Sequence, residues 1–410
     1  MSSSYRNSDP RPPIMQGHPV PKEWQLPEYD WDGPPWNRWS FHHIRELVTT
    51  VNVHRGPDTW DLAEDVQDID GLAFDLADGT PTTWAGMLDR TYTDATLVWL
   101  DGRIIAESYW NGMARATPHI AFSVSKSITS AVAGTLVADG LLDPSAPVTG
   151  ILPELAATAW NGATVQQVLD MTTGVAFDET YGNPDSKVFL LDVAANWKPP
   201  YPFMKPEETP RTTWELILQL VDKEAEHGSR FEYRSIETDL LGHLMERVSG
   251  NRLADLTSDR LWAPMGAEQD GYFTVDKAGF PLADGGFNAC LRDFARFGRL
   301  MLEDGRRDGR QVIPKSWIDD IRAGAHGLAN DDLRAFLPKG SYRNQFWIED
   351  EDRPSHLCLG IFGQHIYVNV SLGLVAVKLS SWPTALSEEG YLIDWLNGVK
   401  AVARTHGANA

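Results

Sequence analysis

An α/β fold, in which an antiparallel sheet built from both chain ends is flanked by helices and carries a mostly helical inserted region, is what the sequence predicts. Two hairpin patterns and one long helical interval predict it. Ala95 to Leu100 and Arg103 to Tyr109 read as strands joined at Asp101-Gly102, a dipeptide that tolerates the positive φ angles of a type I′ turn. Near the other end, His365 to Val370 and Leu374 to Ser380 flank Leu372-Gly373, and a helical stretch follows from about Glu388 to Arg404. Between them, from Ser123 to about Trp262, apolar residues recur at helical spacing. Gln166 to Met171, Trp214 to Val221 and Thr238 to Val248 carry the pattern, the last closed by Ser249-Gly250 as a C-cap signal.

These elements divide the chain into a Pro/Trp-rich N-terminal arm, 1–36, an α/β sheet domain made of 37–122 and 270–410, and a mostly helical domain, 123–269. The arm shows neither a 2.0 nor a 3.6 period, yet Trp24, Trp31 and Trp36 are costly to leave in water. It should therefore pack along the body, with a partner-binding tail as the alternative.

Composition narrows the function. The 410 residues hold 36 Lys plus Arg against 57 Asp plus Glu, a formal charge of −21. Nucleic acid is disfavoured as a partner, because phosphate binding needs clustered cations. With 42% hydrophobic residues the chain can bury a large core, but no run approaches the ~20 apolar residues of a membrane span. The polar N-terminus, Met1 to Pro13, has no signal-peptide character, so a cytoplasmic protein without membrane contact is expected. Cys290 and Cys358, the only two cysteines, read as buried thiols, and His42-His43 is the only close histidine pair. No metal or other cofactor is expected. A homodimer is compatible with all of this.

Neither a G-x-S-x-G elbow, a Walker A loop, a G-x-G-x-x-G nor an H-E-x-x-H is present. What remains is Ser123-Val124-Ser125-Lys126, which opens a helix-like run ended by Gly140. Residues i and i+3 share a helix face, so Lys126 lies within reach of the Ser123 hydroxyl while Ser125 looks away. A serine attacks only after a base takes its proton, and a lysine is that base only if burial lowers its pKa toward neutrality. Alone the pattern is weak, arising roughly once by accident in such a chain. A tyrosine to relay the proton would strengthen it. Tyr181-Gly182-Asn183, Tyr233-Arg234-Ser235 and Tyr342-Arg343-Asn344 are candidates; the first and third lie in segments of loop character, whereas Tyr233 directly precedes an amphipathic helix that would hold it. Gly360-Ile361-Phe362-Gly363-Gln364, entering a strand, could supply a backbone NH to an oxyanion hole.

That order of words resembles the serine hydrolases of the β-lactamase and penicillin-binding superfamily, in particular its class C-like esterase branch and, within it, the nylon-oligomer hydrolases. The likeness runs through Pro35-Trp36-Asn37-Arg38-Trp39, Tyr92-Thr93-Asp94-Ala95, Ser123 to Ser127, Glu246-Arg247-Val248 and Lys378-Leu379-Ser380-Ser381-Trp382. It implies a β-lactamase-like fold and hydrolysis of a small-molecule amide or ester, such as 6-aminohexanoate oligomers, through an acyl-enzyme. It further implies Ser123 as nucleophile, Lys126 as general base and Tyr233 as proton relay, with Tyr181 contacting the substrate amide and Asp192 pairing with its ammonium end. Ile361 matches the start of a third motif in which better-known members carry K-T-G; here it reads Ile361-Phe362-Gly363. Asp284 stands beside the site where an uncharged or weakly basic residue is expected, and Glu237 where an amide is expected. Both should make the pocket more acidic.

Overall fold

Alternating apolar residues bring the two predicted hairpins together. In the computed structural model of the chain, which describes residues 5–407 apart from 184–185, 325–326, 329 and 388, with the backbone alone at 332, 353 and 354, Leu374–Ser380 pairs antiparallel with Thr93–Leu100. Arg103–Tyr109 and Gln364–Asn369 flank that pair. Arg353–Gly360, Phe346–Asp350 and Ser341–Arg343 extend it to a seven-stranded antiparallel sheet whose spatial order is 341–343, 346–350, 353–360, 364–369, 374–380, 93–100, 103–109. Asp101 and Gly102 take φ of 47° and 86°, the pair a type I′ turn requires. Met1 to Ser4 of the expected arm and Glu388 at the head of the expected last helix lie outside the described residues.

Side chains that alternate along a strand face opposite sides. Leu97, Trp99, Val375 and Val377 join the core beneath helices Val124–Ala138 and Leu291–Leu302. Val98, Leu100, Leu374 and Ala376 face the second core, covered by Trp84–Arg90 and Tyr391–Thr405. Burying each large apolar side chain this way contributes about 1.5–3 kcal/mol, which fixes the strand register because a slip of one residue would exchange the faces.

A second, four-stranded sheet joins Thr50–Val53, Gly271–Thr274, Phe287–Ala289 and His119–Ile120 in that order. Its strands have two to four residues, too few for a legible alternation. The last of them leads into Ser123. Ser341–Arg343 is equally short, and it corrects the loop character expected around Tyr342: this tyrosine is buried on a sheet-edge strand, while Arg343 is tied to Asp170 at 2.6 Å.

The helical stretch contains Val165–Leu169, Val188–Ala194, Thr213–Gln219 and Ile236–Ser249. Gly250 ends the longest with φ 71°, the left-handed C-cap. We propose the division at 123–269 on this basis, although one core runs through both sides of it. The arm lies on the body, with Ile14 and Trp31 buried and Trp24 edge-on to Trp36 at 6.3 Å. No helix among the described residues is long and apolar enough to cross a membrane.

A buried polar knot sits behind the site. Arg38 reaches Asp94 at 2.7 Å, and Ser381 and His119 reach the other oxygen of that carboxylate at 2.6 and 3.3 Å. Burial disfavours the Asp94 charge, yet Arg38 and His119 outweigh it and hold the carboxyl down to about 2. The knot fixes the helix Asn37–Ser40, the central sheet and the strand that delivers Ser123.

Candidate active site

Phe122, the residue before Ser123, has a φ of 44°, a conformation that costs a bulky side chain about 1–3 kcal/mol. Ring packing against Phe41, Phe362 and Trp197, at 5.0, 5.3 and 5.9 Å between centroids, holds it there. This sharp turn brings the Ser123 side chain to a cavity wall at the start of helix Val124–Ala138.

One helical turn on, the Lys126 ammonium has three protons and three close acceptors. Nζ donates to Ser123 Oγ at 2.8 Å, Ser235 Oγ at 2.9 Å and the Asp284 carbonyl at 3.0 Å, with Asp284 Oδ2 at 3.4 Å. Ser125 turns away and accepts the Phe287 N–H. Burial works against the Lys126 charge, but Tyr233, Asp284 and Glu179 outweigh it and hold the amine above its ordinary range. The expected drop toward neutrality is thereby reversed, because burial of the amine brings the Asp284 and Glu179 carboxylates into the same site.

Tyr233 stands just before helix Ile236–Ser249, its ring stacked on Trp347 at 5.3 Å. Its hydroxyl interacts with both Ser123 and Lys126. Burial pushes this phenol up, so it is a proton donor at neutral pH. Tyr181 donates to Glu179 Oε1 at 2.6 Å, and the same oxygen accepts from Ser235 Oγ at 2.7 Å. Lys126, Ser235 and Glu179 thus form a continuous hydrogen-bonded chain. Ser235 belongs to the Tyr233-Arg234-Ser235 motif, whereas Glu179 lies in a segment without period or motif and gives no sequence signal.

Tyr181, Asp192, Asp284 and Ile361 line one cavity together with Ser123, and Trp197 and Leu191 are part of its wall. Asp284 Oδ1 is buried there without a hydrogen-bond partner among the described residues. Asp192 is not free: its Oδ2 is 3.2 Å from Lys198 Nζ, which also meets Asp32 of the arm at 2.9 Å. Burial raises Asp192 to about 6. Neither Lys198 nor Asp32 carries a sequence signal that marks it.

Ile361–Gly363 forms a single tight turn between strands Arg353–Gly360 and Gln364–Asn369. The Phe362 N–H is committed to the Ala385 carbonyl at 2.9 Å. Gly363 has φ 90°, and a Cβ there would meet the Trp382 ring at 2.3 Å, so only glycine lets this turn close against the segment after the last strand.

Glu237 corrects the expectation of a more acidic pocket. It is fully buried away from the cavity, accepting from Thr173 at 2.6 Å and facing Arg234 at 3.4 Å. Burial raises its carboxyl to about 8, so it is mostly protonated at neutral pH. A folded-state value above the ordinary 4.5 stabilises the protein fully below that pH, a contribution lost as pH rises through about 8. Glu237→Gln should flatten that alkaline decline, read as a smaller fall in Tm between pH 6 and pH 9; an unchanged slope would show that the carboxyl is already ionised.

Comparison with known proteins agrees with this geometry. Residues 87–394 match the Beta-lactamase family. The 6-aminohexanoate-dimer hydrolase of Paenarthrobacter ureafaciens is 36% identical over 356 residues, covering 86% of this chain and 87% of that one. A solved structure described as "Putative 6-aminohexanoate-dimer hydrolase from Bacillus anthracis" superimposes with a TM-score of 0.84 at 28% identity, covering 95% and 99% of the two chains. A family VIII carboxylesterase shares the fold at a TM-score of 0.56 and 14% identity, covering 76% and 91%. With a helix-borne serine at a cavity against a seven-stranded antiparallel sheet, and with these likenesses, the chain belongs to the Beta-lactamase family and is a hydrolase of that family.

Proposed function

We propose that the protein is a serine hydrolase of the S-x-x-K type, cleaving small linear amides such as 6-aminohexanoate oligomers, and related esters, through an acyl-enzyme. The observation that carries the reading is the placement of Ser123 in the cavity wall with Lys126 Nζ 2.8 Å from its Oγ and 5.1 Å from the Tyr233 ring behind it. Because Lys126 rests as an ammonium, it must first lose a proton, and the chain through Ser235 to the Glu179 carboxylate is a route for it. Burial raises Glu179 and so makes it a better acceptor. The freed amine takes the Ser123 proton, Oγ attacks the carbonyl carbon, and the N–H of Ser123 with one from the Ile361 to Gln364 segment holds the oxyanion. As the bond to the leaving group breaks, Tyr233 protonates the departing amine or alcohol and is reprotonated from Lys126. Water then enters by the reverse relay and releases the acid. Tyr181 positions the amide, and Asp192 and Asp284 face the cationic end. No cofactor takes part. A cytoplasmic setting is supported by the two free, buried cysteines.

A carboxylesterase of short-chain esters is the second reading, favoured by the firm hold on the Lys126 proton, since an alcohol leaves with less help than an amine. Two measurements test both. Fluorophosphonate treatment followed by peptide mass spectrometry is expected to place the adduct on Ser123. Release of 6-aminohexanoate from its linear dimer, set against p-nitrophenol from short acyl esters, decides between them: ester turnover without dimer hydrolysis selects the esterase, and no adduct on Ser123 removes both.

A further inference from the structure

Three charged side chains meet beside the cavity, and only one of them lines it. Asp192 is the lining residue; Lys198 lies behind it, and Asp32 of the N-terminal arm lies behind Lys198. The Lys198 ammonium sits closer to Asp32, at 2.9 Å, than to Asp192, at 3.2 Å, and is itself largely buried, at 9% exposure. The arm is held at this spot by more than the ion pair. Trp31 Nε1 donates to the Trp197 carbonyl at 3.1 Å, its ring packs on the Trp197 ring at 5.9 Å, and the Tyr29 hydroxyl reaches the Pro200 carbonyl at 3.3 Å. Trp197 is also cavity wall. The arm and the pocket are therefore one packed unit, and the arm contributes a charge to it.

The charges do not cancel. Two carboxylates share one ammonium, which leaves the group one negative charge in excess when all are ionised. Without Asp32, Lys198 would neutralise Asp192 alone and the lining carboxylate would have little left to offer a cation.

We propose that Asp32 is a specificity-determining positioning residue: by sharing the Lys198 charge from outside the cavity, it keeps Asp192 able to receive the cationic end of an amine-bearing substrate. The inference rests on the hydrolase reading above only for the identity of that substrate. Lys198 then works as an internal competitor of the substrate ammonium, and Asp32 sets how strongly it competes.

Direct binding tests this apart from catalysis. Calorimetric affinities at pH 8 for 6-aminohexanamide and for hexanamide, which differ only in the amine, give a preference ratio for each protein. Asp32→Asn should lower the ratio by about five- to tenfold, and Lys198→Gln should raise it by about threefold or more, while hexanamide affinity stays put. Opposite signs from two neighbouring substitutions are not produced by a general loosening of the fold. If Asp32→Asn loosens the arm, hexanamide affinity falls with it, and Lys198→Gln, which leaves the Trp31 contacts in place, decides by itself. A ratio that stays within twofold in Lys198→Gln, or that moves the same way in both variants, overturns the proposal. Dimer hydrolysis with an unmoved ratio would leave the hydrolase reading standing and this one fallen; a responsive ratio in a protein that hydrolyses nothing would do the reverse.

Discussion

Alanine at position 123 is expected to remove amide and ester hydrolysis together, lowering kcat on the order of 10^5- to 10^6-fold, while 6-aminohexanamide binds within about threefold of its original affinity. The scale follows from what the hydroxyl does on this reading. It is the only atom that forms a covalent bond to substrate, so the remaining donors and charges can do no more than bind and polarise a carbonyl that water must then attack unaided. The fold should be unaffected: Lys126 loses one of its three acceptors but keeps Ser235 Oγ and the Asp284 carbonyl, and Phe122 keeps its aromatic cage. Initial rates on the linear dimer and on a p-nitrophenyl ester, with calorimetry on the same preparations, make the check. Residual turnover above about 1% on either substrate would falsify the assignment of Ser123 as nucleophile.

How much of this was legible beforehand depends on the length scale of each signal. The hairpins at Asp101-Gly102 and Leu372-Gly373 and the helix Ile236–Ser249 are long enough for their periods to repeat, and they stand within a few residues of where they were expected. Ser123 and Lys126 were legible because one helical turn fixes their relation without any knowledge of the rest of the chain. The protonation of Lys126 was not legible. It depends on Asp284, 158 residues away in sequence, and on Glu179, whose approach is made by a segment without regular structure. The same holds for Lys198 and Asp32, 166 residues apart, whose meeting depends on how the arm packs. Several of the words behind the family resemblance prove to be structural. Arg38, Asp94 and Ser381 form the knot behind the site, so those words carry the fold that aims Ser123 and say nothing about substrate.

Tyr233→Phe should separate the two reactions that Ser123→Ala removes together. Amide kcat/KM is expected to fall about 10^2- to 10^4-fold, the usual worth of a positioned proton donor, and ester kcat/KM by about tenfold or less. An amine leaves a tetrahedral intermediate only after its nitrogen is protonated, whereas a phenolate such as p-nitrophenolate leaves as the anion. The phenylalanine ring keeps the stack on Trp347 and the packing near Tyr342, so the helix Ile236–Ser249 should stay in place and Tm should shift little. Fluorophosphonate labelling of Ser123 supplies the internal control, because fluoride also departs without a proton and the Lys126 to Ser123 contact at 2.8 Å is untouched. Labelling should then fall with the ester rate, not with the amide rate. Equal losses on amide, ester and probe would mean that Tyr233 acts on the serine before attack, as a base or as an orienter of Lys126, and the relay to the leaving group would have to be assigned elsewhere, with Tyr181 and its 2.6 Å bond to Glu179 the next group to test.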